Sequence, residues 1–204
     1  MKIICIGRNY LAHLAELDHE LPAEPLFFMK PATAMLGPGE PFPYPAFSNE
    51  VHYETELVLR VCQTGRAIPE SDARRYYDAI TVGIDFTARD LQRRCIQQGH
   101  PLEIAKSFDG SAPLGTFKKI DTLKDPANIA FGMKRNGEWV QQGNSRDLIF
   151  PFDRLVSHVS NYVTLEKGDC IFTGTPRGVG EVHQGDVLEL YLEDAFVFDL
   201  HVIG

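Results

Sequence analysis

Val51-His-Tyr-Glu-Thr-Glu-Leu-Val-Leu-Arg-Val61 places two carboxylates inside a stretch that otherwise has the character of a core. Val51, Tyr53, Thr55, Leu57, Leu59 and Val61 alternate as in a β-strand, and Leu57-Val58-Leu59 predicts burial on both faces. Residues two apart on a strand share a face, so Glu54 and Glu56 point the same way. Side by side in a core they repel each other and lose hydration, which is costly unless a cation or a hydrogen-bonded partner compensates. A divalent metal meets both demands, and all-oxygen ligation favours Mg2+, Mn2+ or Ca2+ over zinc. The same spacing also suits a strand end carrying two solvated glutamates.

The 204 residues suffice for one domain with a large core. A hydrophobic content of 44% with 24% charged residues is that of an ordinary globular chain and sets aside disorder. A formal net charge of −8, with no local basic cluster to offset it, argues against nucleic-acid binding. Cys5, Cys62, Cys95 and Cys170 are scattered without a C-x-x-C pair and are expected to be reduced thiols. Ile3-Ile-Cys-Ile6 is too short for a signal-peptide core, so no leader is expected ahead of it. No apolar run approaches the roughly 20 residues of a membrane span. Together these features predict a cytoplasmic protein with neither membrane nor nucleic acid as partner.

Along the chain, Ile3–Ile6 is expected to be a short buried strand, broken by Gly7-Arg-Asn-Tyr10. Leu11 to Leu17 follows with good helix formers, and puts His13 and Glu16 three apart on one helical face. Such a pair orients an imidazole and raises its basicity, as a general base requires, but it equally describes a surface pair on a short helix. Leu26-Phe-Phe-Met29 is a second apolar strand, ended by Lys30-Pro31. Residues 71–79 are expected to be a helix with Ser71 as N-cap, leading into the strand Ile80–Phe86. Asp85 sits where that strand meets a helix starting at Thr87, with Asp90 three later in capping-box style. That junction suits a functional carboxylate or a loop-stabilising Asx turn. Lys106 falls in the apolar run Leu102–Phe108, where it either neutralises a substrate carboxylate or enolate or reaches out to solvent. A hairpin turns at Asn136-Gly137, residues 142–145 form a polar loop, and Pro151–Tyr162 is an amphipathic helix burying Leu155, Val156 and Val159. The last third is β-rich. Its Gly174-Thr-Pro-Arg-Gly-Val-Gly180 lacks the Gly-Lys-Ser/Thr ending of a phosphate loop, but its glycines permit close backbone approach to a ligand and Thr175 adds a hydroxyl.

Taken in order, Cys5-Ile-Gly-Arg-Asn-Tyr10 with His13 and Glu16, Phe28-Met-Lys-Pro31, His52-Tyr-Glu-Thr-Glu-Leu57 and Asp85-Phe-Thr-Ala-Arg-Asp-Leu-Gln92 resemble the fumarylacetoacetate hydrolase family. Ala105-Lys-Ser-Phe108, Asn136-Gly-Glu138 with Gln141, Gly143-Asn144 and the Gly174–Gly180 stretch extend the resemblance over nearly the whole chain. It is closest to the short single-domain acylpyruvate hydrolases. The resemblance implies an α+β, β-rich fold, a mixed-sheet β-roll with peripheral helices, as one catalytic domain over 1–204 assembled into a homodimer. It also implies Glu54, Glu56 and Asp85 as ligands of Mg2+ or Mn2+, with Ca2+ less suited. His13 and Glu16 would then be a catalytic dyad on a closing segment, with Lys106 beside them, and Arg8, Arg89, Gln92 and Thr175 would contact the substrate. The implied reaction is hydrolysis of a C–C bond in an acylpyruvate, a small 2-oxo acid, through an enolate that the metal and Lys106 stabilise. Oxaloacetate decarboxylation, keto–enol tautomerisation and a decarboxylase or isomerase step in aromatic catabolism use the same enolate. A metal-binding scaffold without activity is the reading from another class. The chain departs from the family pattern at Ser145, where Thr is frequent, and at Glu181, where Pro is common and a change at the pocket mouth is expected.

Overall fold

The computed structural model describes residues 1–12 and 21–204. Its main sheet has six strands, in the order Lys118–Lys119, Tyr77–Ile84, Thr55–Val61, Cys170–Phe172, Ile3–Gly7 and Leu26–Lys30. Ile3–Gly7 runs parallel to Cys170–Phe172 and every other pairing in this sheet is antiparallel. A second sheet orders Glu138–Asn144, Ala130–Arg135, Val187–Leu192, Ala195–Ile203 and Phe42–Pro43. Helices Arg89–Gln98, Glu103–Lys106 and Phe152–Tyr162 accompany them. The fold is therefore the strand-rich α+β class expected, with mixed sheets.

Leu57, Val58 and Leu59 have no exposure, because their strand is covered on both faces. Leu57 and Leu59 join Leu188, Leu190 and Leu192 of the second sheet in the main core, while Val58 joins Cys5, Leu114 and Phe172 in a smaller one. The two sheets thus roll around a shared interior. Asn136 and Gly137 both adopt positive φ, 53° and 86°, as the tightest hairpin turns require. Helix Phe152–Tyr162 buries Leu155, Val156 and Val159, and Ser157 and Ser160 fasten it to the backbone of Ile68.

The stretch 51–61 is not one strand. Val51–Tyr53 pairs with Gly180–Glu181 and Thr87–Ala88 in a small sheet of its own, and Thr55–Val61 enters the main sheet. The chain changes sheets at Glu54. Side chains take over there from strand partners: Gln141 Oε1 accepts from Thr55 N at 2.8 Å, and Thr175 Oγ1 donates to Thr55 O at 3.0 Å. Three other expectations are corrected. Residues 70–76 form a 3-10 turn without a side-chain cap, and the strand begins at Tyr77, where aromatic and β-branched residues favour an extended chain. Thr87 lies in a strand instead of capping a helix; its hydroxyl donates to Glu54 Oε1 at 3.1 Å, and Asp90 accepts from Leu91 N, Ser48 Oγ and Asn49 N. Residues 142–144 continue a strand, Gln142 and Gly143 pairing with Gly132 and Phe131.

Gln141 is buried and serves three groups at the sheet change, since its Nε2 also donates to Thr175 Oγ1 and Pro176 O. Gln141→Leu keeps the bulk and leaves the buried Thr55 N–H without an acceptor. We expect a loss of about 2–3 kcal/mol in urea unfolding with an unchanged m-value. A loss under about 0.5 kcal/mol would show that water replaces the amide.

Candidate metal centre and active site

The sheet change at Glu54 is what gathers the charged groups. In the antiparallel register Thr55 faces Ile84 and Glu56 faces Gly83, so Asp85 emerges beside Glu54, its N–H donating to Glu54 O at 2.8 Å. One oxygen from each of Glu54, Glu56 and Asp85 lies within 4.8 Å of the others. The three residues are only 8%, 1% and 1% exposed, which rules out the pair of solvated glutamates. No backbone N–H donates to the Asp85 carboxylate among the described residues, so it forms no Asx turn.

Cations and donors converge on this triad. Lys106 Nζ donates to Glu54 Oε2 and to Asp85 Oδ2, each at 2.9 Å, and the residue is 4% exposed, so it does not extend to solvent. Lys30 Nζ stands 2.8 Å from Asp85 Oδ1. Arg89 Nη1 lies 3.7 Å from Glu54 Oε1, and Gly174 N donates to Glu56 Oε2 at 2.6 Å. Burial pushes the Glu56 pKa well above the usual carboxylate range, and the neighbouring charges of Asp85 and Glu54 add to it; the Gly174 N–H opposes them. For Lys106 burial disfavours the charge, but Asp85 and Glu54 outweigh it and hold the ammonium above its ordinary pKa. Gly174 has φ +104°, and a Cβ on it would lie 2.8 Å from the Asn9 side chain, so the turn that presents this N–H requires glycine.

Asp85 Oδ1 is buried and receives no hydrogen bond. Three buried carboxylates, each offering an oxygen within 4.8 Å of the others, make an all-oxygen donor set, which fits a hard divalent cation better than a soft one. The residues present therefore fit the metal that the sequence led one to expect.

All the other expected contacts that fall in the described residues line one cavity of about 640 Å³: Arg8, Arg89, Gln92, Thr175 and Lys106 surround the triad there. Arg89 Nη1 donates to Gln92 Oε1 at 2.7 Å, which fixes both side chains. Thr175 Oγ1 is held between Thr55 O and Gln141 Nε2. Leu26, Phe28, Ile96 and Leu102 supply apolar wall, and the Phe28 ring centre lies 5.2 Å from Lys106 Nζ. His13 and Glu16 lie outside the described residues. Glu181, where the departure at the pocket mouth was expected, is not among the described residues that line the cavity and sits on the strand opposite His52. Sequence reasoning gave no role here to Lys30 or Gln141, and it expected the glycines of Gly174–Gly180 to approach a ligand where the Gly174 N–H in fact donates to Glu56. For Lys30 a signal existed: it closes an apolar strand, Leu26–Met29, whose residues 26 to 28 border the cavity.

The fumarylacetoacetate (FAA) hydrolase C-terminal family matches residues 2–201. The mitochondrial oxaloacetate tautomerase FAHD1 of Bos taurus is 40% identical over 187 residues, covering 92% of this chain and 85% of the relative. Among solved structures, fumarylpyruvate hydrolase from Pseudomonas aeruginosa, in complex with Mn2+ and pyruvate, superposes with a TM-score of 0.93 at 35% identity, covering 100% of this chain and 89% of that one. The 5-carboxymethyl-2-hydroxymuconate delta-isomerase from Mycobacterium smegmatis follows with a TM-score of 0.87 and 34% identity, covering 99% and 78%. All three relatives are enzymes. With the family matched from end to end and its acidic triad gathered in one cavity, the chain belongs to the fumarylacetoacetate hydrolase family.

Proposed function

We propose that this chain is a Mg2+-dependent hydrolase that cleaves a C–C bond in acylpyruvates, such as acetylpyruvate or fumarylpyruvate, to pyruvate and a carboxylic acid. The supporting observation is the triad of buried carboxylates sharing one cavity with a fixed ammonium, Lys106. A divalent cation held by Glu54, Glu56 and Asp85 supplies Lewis-acid stabilisation of negative charge on a 2-oxo group. His13, oriented by Glu16, takes a proton from water, and the hydroxide attacks the distal carbonyl carbon. The C–C bond then breaks, its electron pair passing into the enolate of pyruvate, and protonation at C3 completes the reaction. Lys106 places a positive charge beside that enolate in a site sheltered from water. Arg8, Arg89, Gln92 and Thr175 orient the carboxylate and keto groups. The same proposal takes the chain as one catalytic domain over 1–204, acting as a homodimer in the cytoplasm; its four free cysteines agree with a reducing compartment. Among the described residues no helix is long and apolar enough to cross a membrane.

The tautomerase relative at 40% identity favours a second reading, keto–enol tautomerisation of oxaloacetate; decarboxylation of oxaloacetate is its chemical neighbour. Both need the same enolate and neither needs an activated water. A scaffold without activity does not account for a buried lysine turned into the cavity. Initial rates with Mg2+ on acetylpyruvate, fumarylpyruvate and oxaloacetate, compared as kcat/KM, test the proposal. A preference for oxaloacetate over both acylpyruvates would overturn it in favour of the second reading.

Replacing Glu54, Glu56 or Asp85 by Ala should abolish Mn2+ binding in calorimetry and turnover together, and chelation should inactivate the native protein until Mg2+ or Mn2+ is restored. Full activity after exhaustive chelation would remove the metal from the account. Lys106→Met should lower kcat/KM by about 2–4 kcal/mol of transition-state stabilisation; a variant within about threefold of wild type would leave Lys106 a structural role only. His13→Ala and, less severely, Glu16→Ala should impair acetylpyruvate hydrolysis more than oxaloacetate decarboxylation, with Mg2+ affinity unchanged. Equal losses on both substrates would show that the dyad serves closure or proton transfer to carbon.

A further inference from the structure

None of these roles uses Lys30. It ends strand Leu26–Lys30 and its side chain has no solvent exposure. The ammonium donates to Phe86 O at 3.1 Å, Ser111 O at 2.9 Å and Ser111 Oγ at 2.9 Å, which occupies all three of its protons. Asp85 Oδ1 stands 2.8 Å away as a fourth, purely ionic contact. Ser111 Oγ in turn donates a hydrogen bond to Lys106 O at 2.9 Å, so one ammonium is tied both to the Asp85–Phe86 corner and to the peptide that carries Lys106. Lys30 does not line the cavity, and its three hydrogen bonds leave it no freedom to turn toward a ligand.

The position follows from strand alternation. Lys30 shares a strand face with Leu26 and Phe28 and reaches behind Asp85, while the ring of Phe27, which also borders the cavity, packs on His158 and Tyr162. A buried lysine is costly unless its charge is answered, and so is a buried carboxylate. Here each answers the other, in contact that neither solvent nor substrate reaches. Lys106 also answers Asp85, but it faces the cavity and is shared with Glu54.

We infer that Lys30 is a built-in counterion, a positioning residue that lets the acidic triad assemble in the folded protein without metal. Removing it has two consequences of the same sign. The metal-free fold loses the charge that holds Asp85 against Glu54 and Glu56, and an incoming cation loses a positive neighbour that repels it. The variant becomes more dependent on metal than the native protein. This rests on the triad being a metal site, and the test separates the two claims.

Thermal melting is compared for the native protein, Lys30→Met, Asp85→Asn, the double variant and the core variant Ile120→Ala, each chelated and then with added Mn2+. Lys30→Met should melt about 10 °C lower when metal-free. Mn2+ should then raise its Tm at least twice as far as it raises the native Tm. Ile120→Ala should lose stability yet keep the native Mn2+ shift, since it alters packing alone. In the metal-free state, Asp85→Asn added to Lys30→Met should recover at least half of the lost Tm, because it removes the buried carboxylate whose Oδ1 has lost its counterion. A Mn2+ shift in Lys30→Met no larger than the native one would overturn the inference. Folding of Lys30→Met only with Mn2+ would support it. If that variant folds in neither state, a folded double variant supports the counterion and an unfolded one overturns it. Absence of any Mn2+ shift in the native protein would defeat the metal reading, and the metal-free comparison of single and double variants would still judge Lys30.

Discussion

Three carboxylates with ligand oxygens within 4.8 Å of one another, in a place almost closed to water, dictate what surrounds them. Left alone, they repel one another and lack hydration, a combination that folded proteins tolerate only with nearby cations, hydrogen-bond donors or a metal. Cations and hydrogen-bond donors both converge on the triad. Lys106 bridges Glu54 and Asp85 from the cavity side, Lys30 holds Asp85 from behind, Thr87 donates to Glu54, and the Gly174 N–H donates to Glu56. These partners come from four separate parts of the chain, which is why the site depends on the whole roll and not on any one element.

The sheet change at Glu54 turns that requirement into architecture. A continuous strand would pair Glu54 with a neighbour by backbone alone and leave no room for a cavity beside it. Breaking the ladder there puts Val51–Tyr53 into one sheet and Thr55–Val61 into another, and opens the edge on which Asp85, Lys106 and Thr175 converge. The backbone groups orphaned by the break are satisfied by Gln141 and Thr175. The same two side chains therefore support the fold and shape the cavity, so damage to either function is expected to reach the other.

Much of this was legible in the chain itself, for identifiable reasons. Period-2 alternation with a doubly apolar centre marked Thr55–Val61, and the carboxylates stood out because they interrupt a core pattern. Asn136-Gly137 specified its hairpin through positive φ, and Leu155, Val156 and Val159 specified the buried face of their helix. Failure came where tertiary contacts outweigh local preference. Thr87 has the chemistry of a helix cap, but a carboxylate three-dimensionally adjacent claims its hydroxyl. The break at Glu54 depends on Gln141, distant in sequence, and no local pattern announces it. Lys30 looked like the polar end of a strand because its partners Phe86 and Ser111 are brought to it only by the fold.

The proposed function requires Glu54, Glu56 and Asp85 to hold one divalent ion with coordination positions left open for the two oxygens of a 2-oxo acid. Electron paramagnetic resonance of Mn2+ titrated into the chelated protein, followed by oxalate as a planar stand-in for pyruvate enolate, measures this directly. The account predicts one bound Mn2+ per chain, whose spectrum changes as oxalate displaces coordinated water. Failure to bind Mn2+, or a bound ion whose spectrum and water exchange are indifferent to saturating oxalate, would contradict it.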